Sequence, residues 1–216
     1  MLITEDTFII SDTHFGHSNM IAYEPSRTFL ADLQSVSGGA GADIVNKVYH
    51  KLADNWNAVI GKNDTVLHLG DFVWGGRDNI RTWANRLNGR IILIKGNHDR
   101  DASVYLELGI EVIEGILVNG KHIPASKYVN ALITEINGLM IMFSHYPVEE
   151  DGIKRDEKFN PAISKLFEIF IEYNCDINVH GHVHSRSLEG SLYCRNVSVE
   201  VMGFKPVRIR DILNGI

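Results

Sequence analysis

TFIISDTHFGHSN, residues 7–19, decides how the rest of the chain is read. Thr7–Ser11 is a short run of aromatic and β-branched residues, the composition of a strand covered on both faces. It runs straight into Asp12-Thr13-His14, where a carboxylate and an imidazole stand two residues apart. In extended backbone, residues i and i+2 point to one side, so Asp12 and His14 are expected to face a common site. The same pattern, an apolar run followed by ligand-type residues, recurs four times. Thr65–Leu69 leads to Gly70-Asp71, and Arg90–Lys95 to Gly96-Asn97-His98-Asp99. Leu139–Ser144 leads to His145, and Asp176–His180 to Gly181-His182-Val183-His184, whose two histidines again share an i, i+2 spacing.

Helical stripes lie between these runs. From Asp43 to Ile60 the apolar positions Ile44, Val48, Leu52, Trp56 and Val59 keep a helical period, and Gly61 supplies a stop. Asp78–Leu87 is a second helix. Pro161–Tyr173 is a third, with Ile163, Leu166, Phe167, Phe170 and Ile171 on one face. Asn196–Val201 and Pro206–Arg210 read as two further strands around a turn at Gly203. Strands alternating with helices imply a layered α/β domain spanning residues 1–216, with ligands bound beyond the carboxyl ends of the strands. Ser35–Ala42 reads as a loop, and Asn119–Ala131 as a surface insertion near the site.

Composition narrows the function. The 216 residues, 44% of them hydrophobic, can bury a sizeable core. No apolar run is long enough to span a bilayer, and Glu5 and Asp6 stand where a secretory signal would be basic, so the expected address is the cytoplasm. Cys175 and Cys194 lack metal or disulfide spacing and read as small buried hydrophobes. A net charge of −6 with no basic stripe argues against a long nucleic-acid partner. An anionic substrate would then need positive charge from another source, such as metal ions.

Taken singly, each motif is more often a capped turn or a core histidine; five of them, each just behind a strand, make a site. Mixed imidazole and carboxylate donors suit Mn, Fe, Zn, Ni or Co better than an all-oxygen calcium cage. The donors are too many for one four-coordinate ion with an open position. Two divalent ions sharing a carboxylate, roughly 3.5–4 Å apart, resolve the surplus.

The series D-x-H, G-D, G-N-H-D, H and G-H-x-H, in that order from Asp12 to His184, resembles the calcineurin-like metallophosphoesterase superfamily. The opening SDTHFGHSN and the segment after Met202-Gly203 are similar to its small prokaryotic and phage members. The resemblance implies a two-layered β-sheet core, a β-sandwich, flanked by helices in four layers. It also implies a phosphatase or phosphodiesterase acting on a small phosphorylated substrate, a nucleotide among the candidates, with manganese the first choice of metal. On matching positions, Asp12, His14, Asp71 and His184 would hold one ion; Asp71 would bridge to a second, held also by Asn97, His145 and His182. His98 would assist the leaving group and Asp99 would orient His98.

Two divalent ions less Asp12, Asp71 and a bridging hydroxide leave a site of about +1, able to attract phosphate. Metal binding lowers the pKa of water toward about 7, so hydroxide is available to attack phosphorus in line. A non-catalytic interaction scaffold is the rival reading, disfavoured by the intact motifs; a nuclease is disfavoured by the acidic balance.

His17 and Asn19 are candidates for substrate contact or for stabilising their loop, and Arg27 for a phosphate contact or an exposed surface position. Trp74 reads as packing, or as a pocket wall. His180 reads as a hydrogen-bonded strand residue, and His50, His68 and His122 as structural or surface. Loops 35–42, 119–131 and 146–160 carry no motif that names a substrate.

Overall fold

The computed structural model describes residues 3–31, 41–148, 160–186 and 191–214. In chain order the strands are β1 (Phe8–Ile10), β2 (Thr65–His68), β3 (Arg90–Ile94), β4 (Glu111–Ile113), β5 (Ile116–Val118), β6 (Lys121–Ile123), β7 (Ala131–Ile136), β8 (Leu139–Ser144), β9 (Ile177–His180), β10 (Cys194–Asn196) and β11 (Val207–Arg208). The helices are α1 (Met20–Tyr23), α2 (Ala42–Val59), α3 (Arg77–Ala84), α4 (Ala102–Leu106), α5 (Asn160–Glu172) and α6 (Ile209–Leu213), with a 3₁₀ helix at Pro25–Ala31. Two sheets form, ordered β11-β1-β2-β3-β4 and β10-β9-β8-β7-β5-β6.

Alternation along the strands builds the layers. Ile9, Leu67, Ile92 and Ile94 of the first sheet meet Leu132, Ile141, Phe143 and Val179 of the second in a core between the sheets. Their neighbours Phe8, Ile10, Val66, Ile91 and Leu93 point the other way, onto Tyr49, Leu52 and Trp56 of α2, Ile80 and Trp83 of α3, and Tyr105 of α4. The outer face of the second sheet, with Ala131, Ile133 and Met142, is covered by Ala162, Ile163, Leu166, Ile169 and Phe170 of α5. Both faces of each sheet are thus apolar, which is why the strands read as unbroken hydrophobic runs. The four-layer sandwich matches the expected fold.

Details differ from expectation. The buried stripe of α5 is turned slightly: Ile169 packs inward, while Ile171 is 58% exposed. Residues 119–131 lie mostly at the surface, and they hold regular structure, β6 and the start of β7. Asn119-Gly120 (φ 47° and 84°) joins β5 to β6, and Asn137-Gly138 (φ 54° and 82°) joins β7 to β8. Both are two-residue turns with positive φ at both positions, the conformation that Asn-Gly favours. Residues 197–201 do not continue as a strand. Val197 N donates to His180 O (2.8 Å), while Val199 N donates to Ser11 O (2.9 Å), so this segment crosses from the second sheet to the first. The expected loop at 35–42 lies outside the described residues except for Gly41 and Ala42, and Ala42 already belongs to α2. Most of the loop at 146–160 also lies outside them. Among the described residues, no helix is long and apolar enough to cross a membrane.

Candidate metal centre

The carboxyl ends of β1, β2 and β3 in one sheet and of β8 and β9 in the other open onto the same rim, and all five motifs follow them. The backbone there is not extended. Asp12, His14, Asp71, His182 and His184 have φ of 58°, 47°, 55°, 70° and 53°. The i, i+2 pairs therefore converge through left-handed residues, not through strand alternation, which corrects the sequence-based reason for their convergence. Such a conformation costs a non-glycine residue roughly 1–2 kcal/mol, and the surroundings must hold it. Asp12 N donates to Gly70 O (3.0 Å) and His14 N to Asp71 O (2.9 Å). His182 N donates to Asp12 Oδ2 (2.9 Å) and His98 N to Asp71 Oδ1 (2.9 Å).

Glycines let these turns close on one another. A Cβ on Gly96 would strike Asp71 Oδ1, and one on Gly181 would strike Ser11 Oγ and Asp12 Oδ2. The glycines that precede the ligands are thus space for the neighbouring motif. Asp99 serves the same packing. Its carboxylate accepts from the backbone N–H of Asp71 (2.8 Å), Phe72 (3.0 Å) and Gly96 (2.8 Å) and from Tyr105 Oη (3.0 Å). Those four donors fill the acceptor positions of a carboxylate. Asp99 thereby braces the Asp71 loop.

The donor atoms cluster. Asp12, His14 and His184 bring ligand atoms within 4.8 Å of one another, and so do Asp12, Asp71 and His145. His14 Nε2 and His145 Nε2 lie 3.4 and 3.6 Å from Asp71 Oδ2. His145 Nδ1 donates to Leu69 O (2.8 Å), which leaves a lone pair on Nε2. That nitrogen faces Asn97 Oδ1 at 2.9 Å and His182 Nδ1 at 3.3 Å. An amide oxygen opposite a ring lone pair is an arrangement that a shared cation resolves. Asp12 Oδ1 and His14 Nε2 are buried with no hydrogen bond among the described residues. Buried polar atoms are nearly always paired, so these two fit metal ligands.

Charge leads to the same place. Burial, then the neighbouring Asp99 and Asp12 carboxylates, push the Asp71 carboxyl well above its ordinary range. Burial also holds His14, His145 and His182 below the usual imidazole value, so they are neutral donors near pH 7. For His184 burial is outweighed by the hydrogen bond to Glu200 and the charges of Asp12 and Glu200, and its value rises.

Behind the donors lies a support that the sequence did not disclose. Arg27, fully buried, donates through Nε and Nη2 to Glu200 Oε1 (2.8 and 2.5 Å), through Nη1 to Thr13 O (2.8 Å) and Tyr49 Oη (3.5 Å), and through Nη2 to Asp12 O (2.7 Å). All five guanidinium N–H groups are used. Glu200 Oε1 also accepts from His184 Nδ1 at 3.3 Å. Arg27 is therefore neither exposed nor a phosphate contact; it anchors the first motif and, through Glu200, the last. Glu200 stands where the sheet-crossing segment ends, and only that crossing brings it here.

His68 is structural. Gly70 N donates to its Nδ1 (3.2 Å), so Nε2–H donates to Thr13 Oγ1 (2.9 Å), which donates to Phe72 O (2.8 Å). His180 is a buried β9 residue whose Nδ1 donates to Gly181 O (2.9 Å). His50 is exposed and touches the Trp83 ring, and His122 meets Glu114 O at the surface. His98, whose side chain is 43% exposed, stands at the open side of the cluster with Nε2 4.0 Å from Asp71 Oδ2. A cavity of about 360 Å³ opens there, lined by His14, His98 and His184 and by His17, Asn19 and Trp74. His17 and Asn19 thus reach the cavity, and Trp74 is a wall, not mere packing.

The calcineurin-like phosphoesterase profile matches residues 7–186, and the chain belongs to that family. It is 27% identical over 210 residues to an uncharacterized protein of Methanocaldococcus jannaschii, covering 94% of this chain and 86% of that one. It is likewise 27% identical over 218 residues to the gene 66 protein of Mycobacterium phage L5, covering 95% and 91%. A solved protein of unknown function from Aquifex aeolicus is similar over 97% of this chain and 98% of its own, with 31% identity and a TM-score of 0.68.

Proposed function

We propose that this chain is a phosphoric ester hydrolase acting on a small phosphomonoester or phosphodiester, with two divalent transition-metal ions and manganese the first choice. The observation that carries the reading is the convergence of buried Asp12 Oδ1 and His14 Nε2, both without a hydrogen bond among the described residues, with Asp71, His145 and His184. Asp12, His14 and His184 would hold one ion and Asn97, His145 and His182 the other, with Asp71 shared. When bound, the ions supply Lewis-acid polarisation of the phosphoryl oxygens and a water of lowered pKa. His98, at the cavity wall, is positioned to give a proton to the departing ester oxygen. Asp99 keeps Asp71 in place, and Arg27 with Glu200 keeps Asp12 and His184 in place.

The test strips the protein with a chelator, returns Mn²⁺, and follows aryl phosphate monoester and diester hydrolysis. Activity lost and then regained supports the reading. Hydrolysis indifferent to metal overturns it, and no hydrolysis in any metal state leaves the interaction scaffold in its place.

A further inference from the structure

Beside the donor cluster, the wall of the 360 Å³ cavity changes character. On one side stand His14, His98 and His184; on the other stand Tyr23, Trp74 and Glu24. Tyr23 is 67% exposed and Trp74 39% exposed. A single exposed aromatic ring is ordinary, but these two share the rim of one cavity with three candidate site residues.

Trp74 is fixed in place. Its backbone N–H donates to Phe15 O (3.0 Å) and its backbone carbonyl accepts from Asn79 Nδ2 (2.5 Å), while its ring packs on that of His17, centroids 3.8 Å apart. His17 is in turn 6.4 Å from the Tyr23 ring, and its own carbonyl accepts from Tyr49 Oη (2.7 Å). An aromatic surface already held in position loses little freedom when a ring packs on it. We infer that Trp74 and Tyr23 form a subsite for a planar aromatic ring, an aryl group or a nucleobase, carried by the leaving alcohol of the ester.

Position selects the leaving side. The His98 ring lies between the two regions, 5.2 Å from Trp74 and 5.5 Å from His14. A ring packed on Trp74 places its ester oxygen on the His98 side of the phosphorus. Charge limits the ligand further. Among the described residues no Lys or Arg lines this cavity and Glu24 does, which disfavours a second phosphate on the leaving group.

This inference rests on the phosphoesterase reading, and its test separates the two. Titration calorimetry on the Mn²⁺-loaded full chain compares methylphosphonate with naphthylmethylphosphonate, which differ in the ring alone. The ring is expected to tighten binding about tenfold, within the range for a base stacked on an aromatic side chain. That ratio should fall toward one in Trp74→Ala and part of the way in Tyr23→Ala, where the high exposure of Tyr23 keeps folding out of question. Equal affinities in the native chain, or a ratio that neither substitution changes, overturns the subsite and leaves metal-dependent hydrolysis standing. Methylphosphonate binding indifferent to Mn²⁺ removes the phosphoesterase reading and the subsite with it.

Discussion

Changing Glu200 to Ala removes the carboxylate between Arg27 and His184. Both side chains of the Arg27–Glu200 pair are 1% exposed, and Nη2 lies 2.5 Å from Oε1. Truncating one member of such a pair leaves the other charge buried without its counterion, at a cost of about 3–5 kcal/mol. Three of the five guanidinium contacts, to Asp12 O, Thr13 O and Tyr49 Oη, remain in the variant, so the arginine cannot swing to solvent without releasing the first motif. For a domain whose whole stability is on the order of 5–15 kcal/mol, that loss is large.

A second effect is separable from the first. His184 Nδ1 loses its acceptor, and outer partners of this kind change metal affinity by about 10–100-fold. Urea unfolding of the metal-free chain measures the first effect, and calorimetric Mn²⁺ titration of the variant that remains folded measures the second. Glu200→Gln, which keeps an oxygen acceptor and the volume, should show a smaller loss in both. A loss in Glu200→Ala below about 1 kcal/mol, the value of an exposed pair, with native Mn²⁺ affinity, would refute the anchoring role.

His98→Ala should lower kcat by about 10²–10⁴-fold with metal content by elemental analysis unchanged; loss of metal instead would make His98 a ligand. Asp71→Ala should remove at least one ion per chain, and full retention would contradict sharing of this carboxylate. Gly181→Ala should cost about 1–3 kcal/mol in urea unfolding, because the added methyl meets Ser11 and Asp12; a neutral result would mean that the two motifs are more loosely packed than described. Burial lowers the His68 pKa from 6.5 to about 4. The unfolded chain therefore binds the extra proton between these values, and stability present above pH 6.5 is lost as pH falls toward 4. From pH 7.5 to 5 that is about 2 kcal/mol. The metal-free His68→Gln variant should show a correspondingly shallower decline, and an unchanged slope would place the titration elsewhere.

The strands that end in candidate ligands were legible because they are buried on both faces and stop at a glycine or a polar residue. β4 and β5 were missed because three residues are too few to show a period. The Asn119-Gly120 turn was a usable signal that went unread inside a polar stretch. At the site, residue types and order were legible, but the reason for their convergence was not. An i, i+2 rule assumes extended backbone, and the left-handed residues at Asp12, His14, His182 and His184 are only weakly signalled by the higher tolerance of Asp and His for positive φ. Arg27 and Glu200 meet across a separation that no local pattern encodes.

The segment that crosses between the sheets also sets a timetable for synthesis. Phe8 of β1 pairs with Arg208 of β11, and Ser11 bridges to Ser198. A chain emerging from the ribosome exposes β1 long before either neighbour exists, so that edge must stay unmatched while the strands between are made. Asp12 and His14 emerge before the other motifs, yet Glu200, which accepts from His184 and anchors Arg27, follows all of them. The candidate metal centre is therefore braced only after its last motif has emerged, and a nascent chain stalled before residue 200 would hold every candidate ligand without that brace.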